Sequence, residues 1–529
     1  MEVIGPRRWW AVAALALALL VGGLDLTVLN LALPTLAVSL HASTAGLQWI
    51  VDSYSLVMAA MLLPGGLLGD RFGRKRFMLL ALVLFGGASL WCAYCTSSGE
   101  LIAARALLGL GAALVFPLAL GVVPVMFSEA ERPRAVTVLM GSTIIAYPIG
   151  PLLGGWLLTH YWWGSVFLIN VPLTLIAVVA VAFLVPESRS THRPWLDIGG
   201  VAISSLGLAG MTFGVIEAGE HGWGSASALA TLSAGVFILA VFAFWELRVS
   251  RWWPNAQPLV DLGLFRSAGF SWGTGLSTLV SFAMFGLLFT VPQFFQDVRG
   301  TDAMSAGVQL LPMIFGLVLG AAAADRLVAA AGPAVTVAVG FTLMAAGLGV
   351  GTATHADSGA WFTATWIGLI GIGLGFALPT SVDAALGRLS KERAGVGSAV
   401  IQAVRQVGAT FGVALLGSVL SSAYRGRLDL HALSPSAADT VQRGVSGGVA
   451  VAQRLHSASL LQEVRGAFVH GMQLMLWVCG GLAVVGVVLA LVFLPGRAAP
   501  AGAAAGSAGE DEKADETAAT PPEQRSRRV

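Results

Sequence analysis

Fourteen apolar stretches, each long enough to cross a bilayer, constrain this chain of 529 residues more than any other feature. Hydrocarbon about 30 Å thick takes roughly 20 helical residues to cross. Lipid offers backbone N–H and C=O groups no partner, so each stretch must satisfy them within itself, as an α-helix does. The stretches fall at 10-33, 48-68, 77-96, 101-124, 135-158, 165-185, 198-217, 227-247, 269-291, 305-324, 334-353, 361-382, 396-420 and 470-494, and are numbered as spans one to fourteen. With 56% hydrophobic and 11% charged residues, no single water-soluble core could hide them. The expected fold is all-α, polytopic and transmembrane.

The distribution of Lys and Arg sets the expected orientation, because loops retained in the cytoplasm keep their cations. With the first residue inside, the inside segments hold seventeen, among them Arg71, Arg74, Lys75, Arg76, Arg132 and Arg134, whereas the short outside loops hold Arg299 alone. A missed or invented span would scramble this alternation. Both termini are therefore expected in the cytoplasm and the protein in the plasma membrane. Residues 421-469 read as a long outside loop whose middle, around Val441 to Leu461, forms an amphipathic hairpin lying on the membrane. The tail 496-529, rich in Ala, Gly, Glu and Pro, reads as disordered.

Several activities are excluded or disfavoured. A net charge of +2 gives no reason to expect nucleic acid. Lys75, Lys391 and Lys513 are the only lysines and none follows Gly, so no phosphate-binding Gly-Lys loop exists and the chain cannot draw on ATP by that route. No cofactor is expected beyond an ion gradient. Cys92 and Cys95 have zinc-like spacing without a second pair, no HExxH is present, and no metal site is expected. The GxSxG matches at Gly269 to Gly273 and Gly444 to Gly448 follow no predicted strand, so the chain does not read as an enzyme.

Asp25 lies inside span one. A carboxylate at that depth costs roughly 2.5 to 3.5 kcal/mol on insertion scales and marks ion or proton pathways. Counted from Pro34, it is roughly 14 Å deep at about 1.5 Å per residue. Arg105 enters span four from the same side, so a pair with Asp25 is feasible. Asp52 sits nearer the mouth of span two, where it suits proton entry or cation attraction. Glu217, Glu246 and Asp383 fall at span ends, where water or headgroups solvate them. Arg405 is deeper and needs a partner that the sequence does not identify.

Four segments together resemble a known family. Gly66-Leu67-Leu68-Gly69-Asp70-Arg71-Phe72-Gly73-Arg74-Lys75-Arg76 is similar to the loop between spans two and three of the major facilitator superfamily. Leu24-Asp25-Leu26-Thr27-Val28-Leu29-Asn30-Leu31-Ala32-Leu33-Pro34 resembles the signature of its fourteen-span drug/proton antiporter branch, and Trp49 to Leu56 resembles the QacA-type quaternary-ammonium exporters. Gly150-Pro151-Leu152-Leu153-Gly154-Gly155 is similar to the span-five antiporter motif. Arg105 with Gly109 and Gly111 resembles the fourth-span motif, Phe167 to Pro172 the span-six signature, and Gln402 to Gly408 the span-thirteen pattern. Leu108 departs from the fourth-span motif and Ala146 from the span-five motif, and span thirteen lacks the acids of the QacA-type exporters.

The resemblance implies a 6 + 2 + 6 arrangement of fourteen helices: residues 1-195 as one six-helix half, 196-262 as a two-helix insert and 263-495 as the second half. It also implies a proton-coupled efflux transporter for hydrophobic, cationic drugs, antiseptics or antibiotics, acting as a monomer on small molecules and protons. A dedicated exporter of one endogenous antibiotic or metabolite is the alternative, and an uptake symporter is disfavoured by span five. Asp25, Asp52 and Arg105 are the proton-coupling candidates. Asn30, Trp49, Tyr54, Met58, Tyr147, Phe282, Phe285, Gln402 and Arg405 are the substrate-cavity candidates. Gly66, Asp70, Arg71, Gly73, Arg74, Gly150, Pro151, Gly154 and Gly155 are the gating candidates.

Overall fold

The computed structural model describes residues 7–189, 197–252, 259–260, 262–387, 389 and 391–494; the expected disordered tail lies outside them. Among the described residues there is no strand, and fourteen helices are long and apolar enough to cross a membrane. In order they are Arg8–Ser39, Thr44–Phe72, Arg74–Ala93, Ser98–Met126, Arg132–His160, Ser165–Leu184, Ile198–His221, Ala226–Val249, Ala268–Val298, Ala303–Ala331, Pro333–Gly351, Ala360–Leu386, Val396–Gly426 and Ala458–Phe493. All fourteen expected spans are present. We refer to the end of the bundle carrying Arg71 to Arg76, Arg132 and Arg134 as the basic face, and to the other end as the capped face.

The turns show why the chain reverses where it does. Gly73 and Gly332 each stand at a positive φ, +119° and +88°, between spans two and three and between spans ten and eleven. An L side chain rarely adopts this conformation, so the two halves make the same glycine turn at corresponding places. On the basic face Arg8 grips Glu131 through two bonds of 2.7 and 2.9 Å, tying the starts of spans one and five. The Ser128 hydroxyl, ahead of Arg8 itself, holds that carboxyl below the usual carboxylate range.

The outside loop differs from expectation. Span thirteen continues to Gly426 and span fourteen begins at Ala458, so the connection is 427–457 rather than 421-469. Glu463 and Arg465 interrupt the hydropathy of that stretch but not its buried face, on which Leu460, Val464, Ala467, Phe468, Gly471 and Met472 recur at helical spacing. A helical hairpin does form, at Pro435–Arg443 and Val445–Arg454, earlier than expected. It docks on the bundle, with Val441, Val445, Val451 and Ala452 buried in the main core. Polar bonds pin it, from Tyr424 Oη to the Val441 carbonyl (2.9 Å), Thr44 Oγ1 to the Arg443 carbonyl (3.0 Å) and Ser446 Oγ to Asp297 (2.7 Å).

Spans seven and eight pack on each other, with Gly207, Gly214 and Gly235 at their contact. Span seven also touches spans two and thirteen: Ser418 Oγ donates to the Val215 carbonyl (2.8 Å), and Arg425 binds the Glu220 carbonyl (2.6 Å). Span eight is the more exposed of the two, with Phe237, Val241 and Phe244 at the surface, while span seven exposes Ile198, Leu206 and Phe213. Glu246, expected to be solvated at its end, is buried and accepts the Val260 N–H at 3.4 Å.

Contacts between spans one to six and nine to fourteen gather toward the capped face. Gln48 Nε2 donates to the Val413 and Ala414 carbonyls (3.1 and 2.9 Å), and Gln296 Nε2 to the Leu31 carbonyl (2.8 Å). A Cβ on Gly155 would stand 2.8 Å from the Ala303 carbonyl oxygen of span ten, so only glycine allows this approach. Replacing Gly155 by Leu is expected to prise spans five and ten apart. In a cysteine-free background, labelling of Leu31→Cys by an impermeant maleimide should then rise several-fold, and unchanged labelling would contradict the assignment of this contact as the closure.

Candidate functional site

Four helices converge on Asp25. The carboxylate is 2% exposed, and Oδ2 forms an ion pair with Nη1 of Arg105. Oδ1 accepts from Asn170 Nδ2 at 3.1 Å, and the same amide nitrogen lies 3.4 Å from Ser89 Oγ. Arg105 Nε donates to the Ile50 carbonyl at 3.2 Å, and its guanidinium lies 4.5 Å from the centre of the Tyr54 ring. Charge, hydrogen bonds and a cation–π contact therefore satisfy both ions inside an apolar bundle. Removing one partner of such a pair costs about 3 to 5 kcal/mol, because the survivor stays buried and unpaired.

Local sequence builds this arrangement. A Cβ on Gly109 would come within 3.0 Å of the Tyr54 backbone, so glycine one turn beyond Arg105 lets span four lie against span two and brings the guanidinium to Ile50. Pro172 cannot donate to the Leu168 carbonyl, and span six is broken there into Ser165–Leu168 and Asn170–Leu184. The break sets Asn170 at the start of the second piece, facing Asp25.

A cavity of about 450 Å³ occupies the half of the bundle nearer the basic face. Ala18, Gly22, Leu26, Tyr54, Met58, Phe85, Phe116, Met140 and Tyr147 line one side, and Met284, Leu317, Leu374, Asp383, Gln402 and Arg405 the other. Exposed Asp383, near the end of span twelve, marks its mouth. Asp25 and Arg105 are not part of the lining. Tyr54 is, and its ring lies against Arg105, so this residue adjoins both the cavity and the ion pair.

Of the substrate-cavity candidates, Tyr54, Met58, Tyr147, Gln402 and Arg405 line this space. The other four do not. Asn30 donates to the Leu26 carbonyl of its own helix (2.8 Å), above the cavity. Trp49 turns away toward span seven, 6.2 Å from Phe213, and Phe282 and Phe285 are buried in the core where span nine meets span thirteen. Asp52, expected near a solvated mouth, is fully buried, and neither carboxylate oxygen has a hydrogen-bond partner among the described residues. Span two starts one turn earlier than expected, at Thr44, and the hairpin covers its end.

Among the gating candidates, Asp70 accepts from Arg74 Nε at 2.7 Å, and Arg74 N–H binds the Ser188 carbonyl at 2.9 Å. The basic loop thus docks on the end of span six, and Arg71 rests on the Phe72 ring. Gly66 meets Pro117 of span four. Gly150 and Gly154 face Thr27 and Val28 of span one, while Gly155 and Pro151 face span ten. Sequence reasoning quoted Asn170 as part of a signature without giving it a role; an Asn two residues before a span-breaking Pro was the available signal.

A bundle of fourteen spans with a central cavity open on one face and a buried acid–base pair beside it defines a membrane transporter rather than an enzyme. Residues 15–413 match the Major Facilitator Superfamily, and the chain belongs to it. The tetracenomycin C resistance and export protein of Streptomyces glaucescens is 32% identical over 497 residues, covering 92% of this chain and 91% of that one. A multidrug efflux pump of Mycolicibacterium smegmatis is 33% identical over 479 residues, covering 88% and 92%. In fold, the chain is similar to a bacterial homologue of the human lysosomal transporter Spinster, with a TM-score of 0.66 at 16% identity, covering 94% of this chain and 100% of that one.

Asn170→Ala removes a hydrogen bond to a charged group, worth about 1.5 to 3 kcal/mol. A lowered melting temperature of the purified protein is expected. An unchanged melting temperature would show that Asn170 does not hold the carboxylate.

Proposed function

We propose that this chain is a proton-coupled exporter of hydrophobic drugs, antiseptics or antibiotics, working by alternating access in the plasma membrane. One observation carries the reading: an ion-paired carboxylate lies sealed in the bundle, and Tyr54 adjoins both that pair and a cavity that could hold such a molecule. A carboxylate that alternates between a dry setting and a cationic neighbour can take up and release a proton. Export and efflux by the relatives support the direction of transport, and the relative that exports tetracenomycin C favours a dedicated antibiotic exporter as the second reading.

By the rule that cytoplasmic loops keep Lys and Arg, the basic face is the cytoplasmic one, and both ends of the chain lie there. The open cavity then faces the cytoplasm with Asp25 ionised, which is the form that accepts cargo. Rearrangement breaks the glycine contacts near the capped face and lifts the hairpin. A proton entering from outside neutralises Asp25, frees Arg105 and lets Tyr54 shift, which weakens the hold on cargo. Asp52 is the second carboxylate proposed for proton handling. The protein works as a monomer and needs no cofactor beyond the gradient. One charge moved down 100 mV supplies about 2.3 kcal/mol and one pH unit about 1.4, enough for accumulation on the order of a hundredfold per proton.

Asn at position 25 keeps the shape of the side chain and one acceptor oxygen, but its NH2 cannot accept the second of the two hydrogen bonds and the amide cannot cycle a proton. In everted vesicles, Asp25→Asn is expected to abolish gradient-driven uptake of an exported dye while the protein remains folded. Uptake at the wild-type rate would exclude Asp25 as the coupling site.

A further inference from the structure

Among the described residues the charged groups lining the cavity are Asp383 and Arg405, on the same side but at different depths. Asp383 is three residues from the end of its span at Leu386, in the exposed mouth. Arg405 is nine residues past Val396, roughly 14 Å inward at about 1.5 Å per residue. Its guanidinium is held by neutral groups: Nε donates to Ser281 Oγ at 3.1 Å and Nη1 to Gln402 Oε1 at 3.2 Å. Among the described residues no carboxylate lies within ion-pair distance of it. Arg105, by contrast, is fully compensated by Asp25.

An oriented and uncompensated guanidinium at this depth repels a cation and offers a planar fork to an ionised oxygen group. Around it the walls suit a flat apolar body, with Phe85, Phe116 and Tyr147 for aromatic contact and Met58 and Met284 as adaptable thioethers. We infer that the cavity takes amphiphilic aromatic acids, with the carboxylate, sulfonate or acidic phenol of the cargo on Arg405 and its ring system on the apolar wall. This rests on the exporter reading and departs from the cationic cargo expected from sequence. It has an energetic consequence. Exchanging one anion outward for one proton inward moves two elementary charges in the favourable direction, against one for a neutral cargo and none for a monovalent cation.

A matched series separates charge from shape: 2-naphthoate, 2-naphthamide and (2-naphthylmethyl)trimethylammonium, titrated into purified full-length protein by tryptophan quenching. The acid is expected to bind at least tenfold more tightly than the ammonium. Arg405→Gln should weaken the acid at least tenfold and strengthen the ammonium, while Arg405→Lys keeps part of the preference for the acid. In reconstituted vesicles, naphthoate export should respond to an imposed potential more steeply than naphthamide export. Wild-type protein binding the ammonium as tightly as the acid would overturn the assignment without any variant, and so would an unchanged order in Arg405→Gln. Binding is read without a gradient, so loss of the charge order overturns this assignment alone. Loss of gradient-driven movement with the order intact overturns the exporter reading alone.

Discussion

An ion sealed in an apolar bundle away from any cavity needs a partner where it lies, and the pairing of Asp25 with Arg105 meets that demand. Much of the N-terminal architecture follows from it. Span four must come close enough for the guanidinium to reach across, which Gly109 permits; span six must break, which Pro172 enforces; span two must offer a carbonyl at Ile50 and a ring at Tyr54. With the pair in place, the surrounding helices can be uniformly apolar. Without it, either ion alone would draw water into the core.

The second organising feature is the unequal packing of the two ends. Near the capped face, Gly155 and Gly307 bring spans five and ten to backbone contact, and the hairpin of Pro435–Arg443 and Val445–Arg454 buries its apolar side over the junction. Nearer the basic face the same helices diverge around the cavity. Small residues give close contact without interlocking side chains, so such a contact can open without unpacking a core. Tyr54 belongs to both the cavity lining and the surroundings of the ion pair, with its ring against Arg105.

The spans were legible because lipid leaves the backbone no choice but helices, and an apolar run of 20 residues reads directly from sequence. The pair of Asp25 and Arg105 was legible too, since depth along two helices is simple arithmetic. Rotation about the helix axis was not. Trp49, Phe282 and Phe285 are aromatic and lie in the right spans, yet face other helices, whereas Met284, which lies between the two Phe residues in sequence, reaches the cavity. In a bundle apolar on every side, hydropathy carries no phase to say which face points inward. Asp52 was misplaced for a related reason: distance from the end of span two does not say whether neighbouring helices bury that position, and here they do.

Coupling requires that cargo and proton compete through Asp25, and proton release on binding reports this most directly. Purified protein in weakly buffered, mildly acidic detergent solution should release protons when an exported compound is added. Asp25→Asn should bind the compound without releasing any. Equal release from the wild type and the variant would contradict the account.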